Sequence, residues 1–227
     1  MLNFIKPAYR KIFKNKRLIL FDMDGTVTRT EVLNYRIYKN AINRALNIKL
    51  TLTDWNKSFS GTTPNESLTK YLEKCGILLT NTLLKNLMEE IHVSKKKQLE
   101  NISNIEVVNG FIEFAKKLRK ENFRIGLVTS TTKVFVKIIF SKSGINHYFD
   151  QVVTREDCNI SKPNPAIYLH AMKIFGVDPK YTIIFEDSSS GLMAAIKSGA
   201  TVIQINGQLN KLNGVSCHGK NYLDILN

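Results

Sequence analysis

The apolar residues of this chain follow two kinds of pattern, and the patterns divide it into two regions. After residue 103, short apolar runs alternate with stretches in which apolar residues recur at helical spacing. This alternation is typical of a parallel sheet wrapped by helices. The strand-like runs of this region lie at 125–128, 149–154, 182–185 and 201–205, and one further run lies near the start of the chain, at 18–21.

The region between about residues 28 and 103 has a helical pattern throughout. Leu33, Ile37 and Ala41, for example, share one helical face, and no convincing strand interrupts the pattern. We therefore predict an α/β protein with an all-helical cap inserted after the first strand, and with hinges near 28–30 and 101–104. The predicted parts are a basic N-terminal extension at 1–16, a catalytic core at 17–28 plus 103–227, and the cap at 29–102.

The composition fits one catalytic unit with a subdomain. The chain has 227 residues, of which 43% are hydrophobic, so it can bury a substantial core. No apolar stretch reaches the length that spans a bilayer, so we expect no transmembrane segment. Three scattered cysteines form neither a zinc spacing nor an even disulfide framework, which favours a reducing compartment and a cytoplasmic location.

The net charge of +14 raises the question of an acidic partner. Residues 1–17 hold six basic residues and no acidic one. No RNA-binding aromatic motif or DNA-reading module accompanies this charge, and the chain is rich in Asn, Ile and Lys, so we do not expect nucleic-acid binding. For the segment 1–16 we expect a docked or frayed extension, and the alternatives are an amphipathic surface helix interrupted by Pro7 and a targeting segment.

The sequence 22–26, DMDGT, places two carboxylates directly after the first apolar run. Asp22 and Asp24 would both project from the carboxyl end of a buried strand, where open α/β sheets bind their ligands. Unpaired acids are costly to bury, and a hard cation would stabilise them. The alternative is an acidic turn that caps the next helix.

Three further segments also follow strand-like runs or lie in a loop. Thr129 and Ser130 end the second run, although hydroxyl residues there also fit a helix N-cap. Lys162 lies between turn residues, where an ordinary surface lysine is the alternative. Glu186 and Asp187 form a second acid pair, which alone also fits a solvated loop, and a small-residue helix follows it.

In their order and approximate spacing, these four segments resemble the haloacid dehalogenase-like superfamily. The resemblance covers the chain from about Arg17 onward and implies a Rossmann-like core. The helical insertion looks like the cap of the phosphoglycolate phosphatase and β-phosphoglucomutase branch. The resemblance also implies a Mg²⁺ ion. Its ligands would be the side chains of Asp22 and Asp187, the backbone carbonyl of Asp24, and Glu186 directly or through water.

The family's chemistry assigns a role to each core motif. Asp22 would attack phosphorus and form an aspartyl-phosphate, while Asp24 would act as general acid and then as general base. The phosphoryl group would be held by Thr129, Lys162 and the backbone N–H groups of Met23 and Ser130.

The cap carries the less specific candidates for substrate contact, namely Arg29, Asn34, Gly61, Thr62 and Thr63. Where β-phosphoglucomutase has an acid and a histidine after the first motif, this chain has Arg29 and Asn34, which disfavours mutase activity.

We therefore expect a Mg²⁺-dependent phosphatase that hydrolyses a small phosphorylated metabolite and works as a monomer, with a dimer as the alternative. The alternative functions are a sugar-phosphate mutase of the same fold and a catalytically idle scaffold associated with nucleic acid.

Overall fold

A computed structural model of the chain describes residues 2–59, 62–205 and 213–227, and a parallel sheet forms its centre. The strands in this described part are β1 (Leu18–Phe21), β2 (Arg124–Val128), β3 (Gln151–Val153), β4 (Thr182–Glu186), β5 (Thr201–Ile205) and β6 (Cys217–Gly219). They are ordered β3-β2-β1-β4-β5-β6, and every neighbouring pair runs parallel. The predicted fold class, a parallel sheet within an α/β core, is confirmed.

The strand β1 lies between β2 and β4 and is buried along its whole length. Its last residue, Phe21, is in register with Leu127 of β2 and Phe185 of β4. Because the three strands run parallel, the residues that follow them meet at one edge of the sheet. The topology therefore brings segments that are distant in sequence to a single place.

Helices cover both faces of this sheet, and a separate group forms the cap. In the described part of the chain they are α1 (Pro7–Phe13), α2 (Glu31–Leu46), α3 (Leu52–Ser58), α4 (Pro64–Lys74), α5 (Asn81–Asn101), α6 (Phe111–Lys120), α7 (Lys133–Ser143), α8 (Ala166–Phe175) and α9 (Ser189–Lys197). Short 3₁₀ turns lie at Asn146–Tyr148, Arg155–Asp157, Pro179–Tyr181 and Tyr222–Asp224.

The alternation of side chains along β1 explains the two layers of the core. Ile19 and Phe21 point to one face and pack in a cluster with α1, α6 and α7. Leu18 and Leu20 point to the other face and pack with α8 and α9. Both sets of residues are fully buried. A continuous apolar run is typical of a central strand of a parallel sheet, because both faces of such a strand are covered.

The cap consists of α2 to α5, is all-helical, and has an apolar core of its own. Trp55 and Phe59 stack in that core with ring centroids 5.4 Å apart and planes inclined by 8°. The two connections to the sheet domain run side by side, because the N–H of Arg29 donates to the carbonyl of Glu106 at 2.8 Å. Two neighbouring segments, linked by a backbone hydrogen bond, thus connect the cap to the core.

The N-terminal segment packs against the core. Pro7 begins α1, so the alternative of a helix interrupted by Pro7 does not apply. Proline suits a first helical position, where its missing N–H has no intrahelical partner. Ile5 pairs with Leu226, and Phe13 is buried against Phe114. Among the described residues, no helix combines the length and apolar composition needed to cross a membrane.

Candidate active site

Three carboxylates gather where β1 and β4 end. Oxygen atoms of Asp22, Glu186 and Asp187 lie within 4.8 Å of one another. Asp22 directly follows β1, Glu186 is the last residue of β4, and Asp187 comes next. The in-register pairing of the two strands is what brings these acids together across more than 160 positions of sequence.

Asp187 is held by the turn that follows β1. The hydroxyl of Thr26 donates to Oδ1 of Asp187 at 3.0 Å. Gly25 has a φ of +89°, and a Cβ atom there would lie 2.1 Å from Oδ2 of Asp187. Only glycine suits this position, since it both adopts the left-handed conformation and leaves room for the carboxylate.

Lys162 links the carboxylates that β1 and β4 supply. Its Nζ donates to Oδ1 of Asp22 at 2.6 Å and to Oε1 of Glu186 at 2.7 Å. The ammonium is fully buried. Burial alone would lower the pKa of Lys162, but the charges of Asp22 and Glu186 outweigh it and hold that pKa well above its ordinary value. Lys162 is therefore a fixed cation beside Asp22.

Glu186 is saturated with hydrogen bonds. Its Oε1 accepts from Lys162 and from the phenol of Tyr168. Its Oε2 accepts from the N–H of Asp187 and from both the N–H and the hydroxyl of Ser188. With all these donors in place, Glu186 orients Lys162 and the start of α9.

Gly191 provides the space that Glu186 occupies, and this gives a testable prediction. A Cβ atom at Gly191 would lie 1.7 Å from Oε1 of Glu186. An alanine inside a helix is ordinarily about 1 kcal/mol more favourable than glycine. Here the overlap is with a buried, fully bonded carboxylate, so we expect Gly191→Ala to destabilise the protein by about 1–3 kcal/mol. Thermal or urea unfolding measures the change.

The control for this prediction is Met193→Ala, on the same helix at an exposed position. It is expected to leave the free energy of unfolding within about 0.5 kcal/mol of the wild type. A Gly191→Ala protein as stable as wild type would mean that Glu186 is not confined by Gly191.

The charges at this edge do not balance within the protein. Asp22, Glu186 and Asp187 are buried, and Lys162 is the sole buried lysine or arginine among the described residues. Burial, with the neighbouring carboxylates, raises the pKa of both Asp22 and Asp187 well above the ordinary value for an aspartate. The excess of negative charge and the all-oxygen ligands suit a hard divalent cation. The residues present thus fit Mg²⁺.

Two carboxylate oxygens are the best placed to bind such an ion directly. Within the described ranges, Oδ2 of Asp22 and Oδ2 of Asp187 accept no hydrogen bond, whereas both oxygens of Glu186 do.

Asp24 faces the cap rather than the carboxylate cluster. Its Oδ1 accepts from the hydroxyl of Thr30 and from Nδ2 of Asn34, the latter at 3.2 Å. Its Oδ2 accepts from the hydroxyl of Thr131 at 2.7 Å. Donors from the start of α2 and from the loop after β2 therefore hold one carboxylate between cap and core.

A cavity of about 160 Å³ lies between the cap and the edge of the sheet. Asp22, Asp24, Thr129 and Ser130 line its core side. The cap side is formed by α2, α3 and α5 and by the loop before α4. Its lining residues there are Glu31, Asn34, Tyr38, Trp55, Phe59, Thr62, Pro64, Met88, Ile91, His92 and Lys95. The cavity thus opens onto both Asp22 and Asp24.

The cap candidates from the sequence differ in position. Asn34 and Thr62 line the cavity. Arg29 does not, and it forms a 2.9 Å ion pair with Glu106 where the two connections between cap and sheet run side by side. Thr63 is buried and precedes α4, where its carbonyl accepts from the hydroxyl of Ser67. Gly61 lies outside the described residues.

The core candidates occupy one edge, and the structure adds neighbours that the sequence reasoning did not name. Met23 is fully buried, and its carbonyl accepts the N–H groups of Val27 and Thr28 in the turn. The additional residues are those that orient the carboxylates and one aromatic residue on the cap wall: Thr26, Thr30, Thr131, Tyr168, Ser188 and Trp55. Hydroxyl residues within a few positions of each motif were the available signal for Thr26, Thr30, Thr131 and Ser188.

Comparison with known families agrees with this arrangement. The sequence model of the family described as haloacid dehalogenase-like hydrolase matches residues 19–205, which is most of the chain. The chain belongs to this family. The predicted resemblance is therefore confirmed, and the matched range includes all four core motifs together with the cap.

Several relatives of this haloacid dehalogenase-like hydrolase carry names that mention phosphate chemistry. A "Phosphorylated carbohydrates phosphatase" from Thermotoga maritima is 29% identical over 196 residues, covering 86% of each chain. A "Pyrophosphatase PpaX" from Bacillus velezensis is 25% identical and covers 92% of each chain.

Solved structures share the fold. A β-phosphoglucomutase from Clostridium difficile superposes with a TM-score of 0.80 at 23% identity, covering 91% of each chain. The CbbY protein from Rhodobacter sphaeroides, in complex with phosphate, superposes with a TM-score of 0.79 at 20% identity. It covers 91% of this chain and 95% of that one. At these identities the likeness concerns the fold.

Proposed function

We propose that this haloacid dehalogenase-like hydrolase is a Mg²⁺-dependent phosphatase of small phosphomonoesters, working through an aspartyl-phosphate on Asp22. One observation carries the proposal. Asp22, paired with a buried lysine, and Asp24, held in place by donors from cap and core, line the same cavity. A nucleophile and a proton donor that line one cavity are what a two-step displacement at phosphorus requires.

In the first step, a carboxylate oxygen of Asp22 attacks phosphorus as the bond to the leaving oxygen breaks. Asp24 donates a proton to that oxygen, and the product alcohol departs. Lys162 donates to Oδ1 of Asp22 and so holds the attacking carboxylate in place. The fixed ammonium also reduces the repulsion between an anionic nucleophile and an anionic ester.

In the second step, water attacks the phosphorus of the aspartyl-phosphate. Asp24, now ionised, accepts a proton from the water, and the bond between phosphorus and Asp22 breaks. Inorganic phosphate leaves, and both carboxyl groups return to their starting states. The same residue is placed for both steps because Thr30 and Thr131 hold its carboxyl group in position.

The hydroxyl residues after β2 bind the phosphoryl group in this proposal. Thr129 and Ser130 line the cavity, and the hydroxyl oxygen of Thr129 accepts the N–H of Thr131 at 3.0 Å. That hydrogen bond leaves the Thr129 proton free to be donated to a phosphoryl oxygen. Pre-positioned donors of this kind contribute about 3 kcal/mol each to transition-state stabilisation.

A bound Mg²⁺ ion would neutralise charge on the phosphoryl oxygens as they meet Asp22. The ion would be held by the carboxylates of Asp22 and Asp187 and by the backbone carbonyl of Asp24. Glu186, whose oxygens already accept hydrogen bonds, would act through water or by orienting its neighbours. The unbalanced buried charge supports this assignment.

The size of the cavity supports a small substrate. A volume of about 160 Å³ admits a phosphate group with a leaving group of a few carbon atoms, far below the 300–1,000 Å³ of sites for larger ligands. The phosphatase names of the relatives point the same way.

Removal of the metal tests the proposal directly. We expect phosphate release from a phosphomonoester panel that includes p-nitrophenyl phosphate to fall at least about 100-fold in EDTA and to return with Mg²⁺. We also expect Mg²⁺ alone to raise the melting temperature, because it relieves the repulsion among the buried carboxylates. Asp187→Asn should weaken that thermal shift, whereas Asp178→Asn, at an exposed position, should not.

Two outcomes would replace the proposal. Conversion of β-glucose 1-phosphate to the 6-phosphate without net phosphate release would favour the mutase. Salt-sensitive retention on DNA or RNA, with no turnover of any phosphomonoester, would favour a catalytically idle scaffold.

A further inference from the structure

Among the described residues, the NH₂ group of the Asn34 side chain has a hydrogen-bond partner and its carbonyl oxygen has none. Its Nδ2 donates to Oδ1 of Asp24 at 3.2 Å, and only the NH₂ end of an amide can donate to a carboxylate. Its Oδ1 is therefore directed elsewhere. That oxygen is buried and has no hydrogen-bond partner among the described residues. Buried carbonyl oxygens are rarely left unpaired, so this one calls for a donor.

The residue that carries this oxygen lies at the proposed site of the reaction. Asn34 is a wall residue of the cavity, and the carboxylate that fixes its amide is Asp24, the proposed acid for the leaving oxygen. A donor that reaches Oδ1 of Asn34 would thus belong to the leaving group, close to the ester oxygen.

A second acceptor lies one helical turn away. Glu31 precedes Asn34 by three positions, so both lie on one face of α2 and both line the cavity. The indole N–H of Trp55 donates to Oε2 of Glu31 at 2.9 Å and fixes the carboxyl group. Within the ranges that the structure describes, Oε1 of Glu31 accepts no hydrogen bond. Burial and the Asp24 carboxylate raise the pKa of Glu31 to about 7.

The other residues that line the cavity limit which donor groups the leaving group can carry. Lys95 and Arg155 line the same cavity, and their charges disfavour an ammonium group as the donor. The acceptors on α2 disfavour a carboxylate next to the ester. Trp55 and Phe59 add aromatic surface, which suits the C–H groups of a carbon chain. Neutral donors on a short carbon chain are hydroxyl groups.

We propose that Asn34 and Glu31 select a polyol or sugar phosphate, with Oδ1 of Asn34 accepting a hydrogen bond from a hydroxyl next to the ester carbon and Glu31 accepting from a hydroxyl further along the chain. The proposal rests on the phosphatase function and specifies the leaving group for that same site. A site built to bind a hydroxyl discriminates strongly against an analogue that lacks it, because its buried acceptors are then left unpaired.

A substrate pair of similar size tests the proposal. Glycerol 1-phosphate and n-propyl phosphate have the same carbon chain and differ in two hydroxyl groups. We expect wild-type kcat/KM to favour glycerol 1-phosphate by at least about 10-fold. In Asn34→Ala and in Glu31→Gln, we expect this preference to fall at least about 5-fold. The ratio within each variant cancels any general loss of activity.

Two matched variants control for the substitutions themselves. Asn40→Ala removes an exposed asparagine from the same helix, and Glu89→Gln neutralises an exposed glutamate on α5. Both should keep the wild-type preference, and circular dichroism with thermal unfolding shows whether each variant is folded.

The outcomes separate this proposal from the one it rests on. If the wild type hydrolyses neither these esters nor any other phosphomonoester, the phosphatase function fails, and this proposal fails with it. If the wild type hydrolyses phosphomonoesters but treats the two esters alike, the selection of hydroxyls is overturned while the phosphatase function stands. A preference that survives unchanged in both Asn34→Ala and Glu31→Gln would also overturn it.

Discussion

Replacing Asp22 with asparagine is expected to lower kcat by at least about 10⁴-fold while leaving the protein folded. The amide cannot form an acyl-phosphate bond, so the covalent route is lost rather than slowed. Phosphate release under saturating Mg²⁺ measures the effect.

The same substitution should not destabilise the protein. Burial and the charge of Glu186 hold the pKa of Asp22 well above its ordinary value, so the negative charge of Asp22 costs free energy in the folded state. A neutral amide removes that penalty and can still accept from Lys162. We therefore expect Asp22→Asn to melt at or above the wild-type temperature in Mg²⁺-free buffer.

The control for Asp22→Asn is Asp178→Asn, which makes the same chemical change at an exposed position and should leave kcat within about twofold. An Asp22→Asn protein that retains more than about one hundredth of the wild-type rate would contradict the assignment of the nucleophile.

Replacing Lys162 with methionine is expected to impair both stability and catalysis. The side chains are similar in length, so the change removes mainly the charge and two hydrogen bonds. Asp22 and Glu186 would then be buried carboxylates without a cation, and breaking such a pair costs about 3–5 kcal/mol. Loss of the donor beside the nucleophile should reduce kcat by about 10²–10³-fold. Urea unfolding and phosphate release measure the two effects.

A second substitution separates these two roles of Lys162. Adding Glu186→Gln to Lys162→Met removes one of the orphaned charges and should restore part of the stability without restoring the activity. Lys173→Met, on the exposed side of α8, is the control for the loss of a lysine. If Lys162→Met were as stable and as active as wild type, Lys162 would be neither the counter-ion nor a donor at this site.

The two predictions differ in sign for stability, and the difference follows from the charge balance. Removing a negative charge from the cluster relieves repulsion, whereas removing its cation increases it. The three carboxylates are close enough for this to matter, since their oxygens lie within 4.8 Å of one another. Structural ion pairs on the surface would show neither effect at this size.

Much of the fold could be predicted from the sequence because the apolar runs are short and well separated. The runs at 18–21 and 201–205 coincide with Leu18–Phe21 and Thr201–Ile205. The short strand Cys217–Gly219 was not predicted, because Cys217 and Gly219 flank the exposed His218 and make no apolar run. The sequence alone left the role of Pro7 open, because a proline interrupts a helix in its interior yet begins one at its first position.

The residues of the candidate site also fall into two groups, those that the sequence analysis proposed and those that only the structure revealed. The carboxylates, Lys162 and the hydroxyl residues after β2 were identifiable because such groups at strand ends have few packing reasons to be there. Tyr168 and Trp55 were not, since an aromatic residue on a helical face reads as core. Their hydrogen bonds to Glu186 and Glu31 depend on contacts across elements.

The sequence by itself determined the family and the parallel sheet, and it predicted a helical insertion and the reactive groups of the core, because each depends on residue types at local spacing. The tertiary structure alone decided which groups share one cavity, which carboxylate oxygens are saturated, and that the amide of Asn34 has an unpaired acceptor. Hydrogen bonds and charges act over a few ångströms, and only the folded chain brings residues from β1, β4 and the cap within that distance.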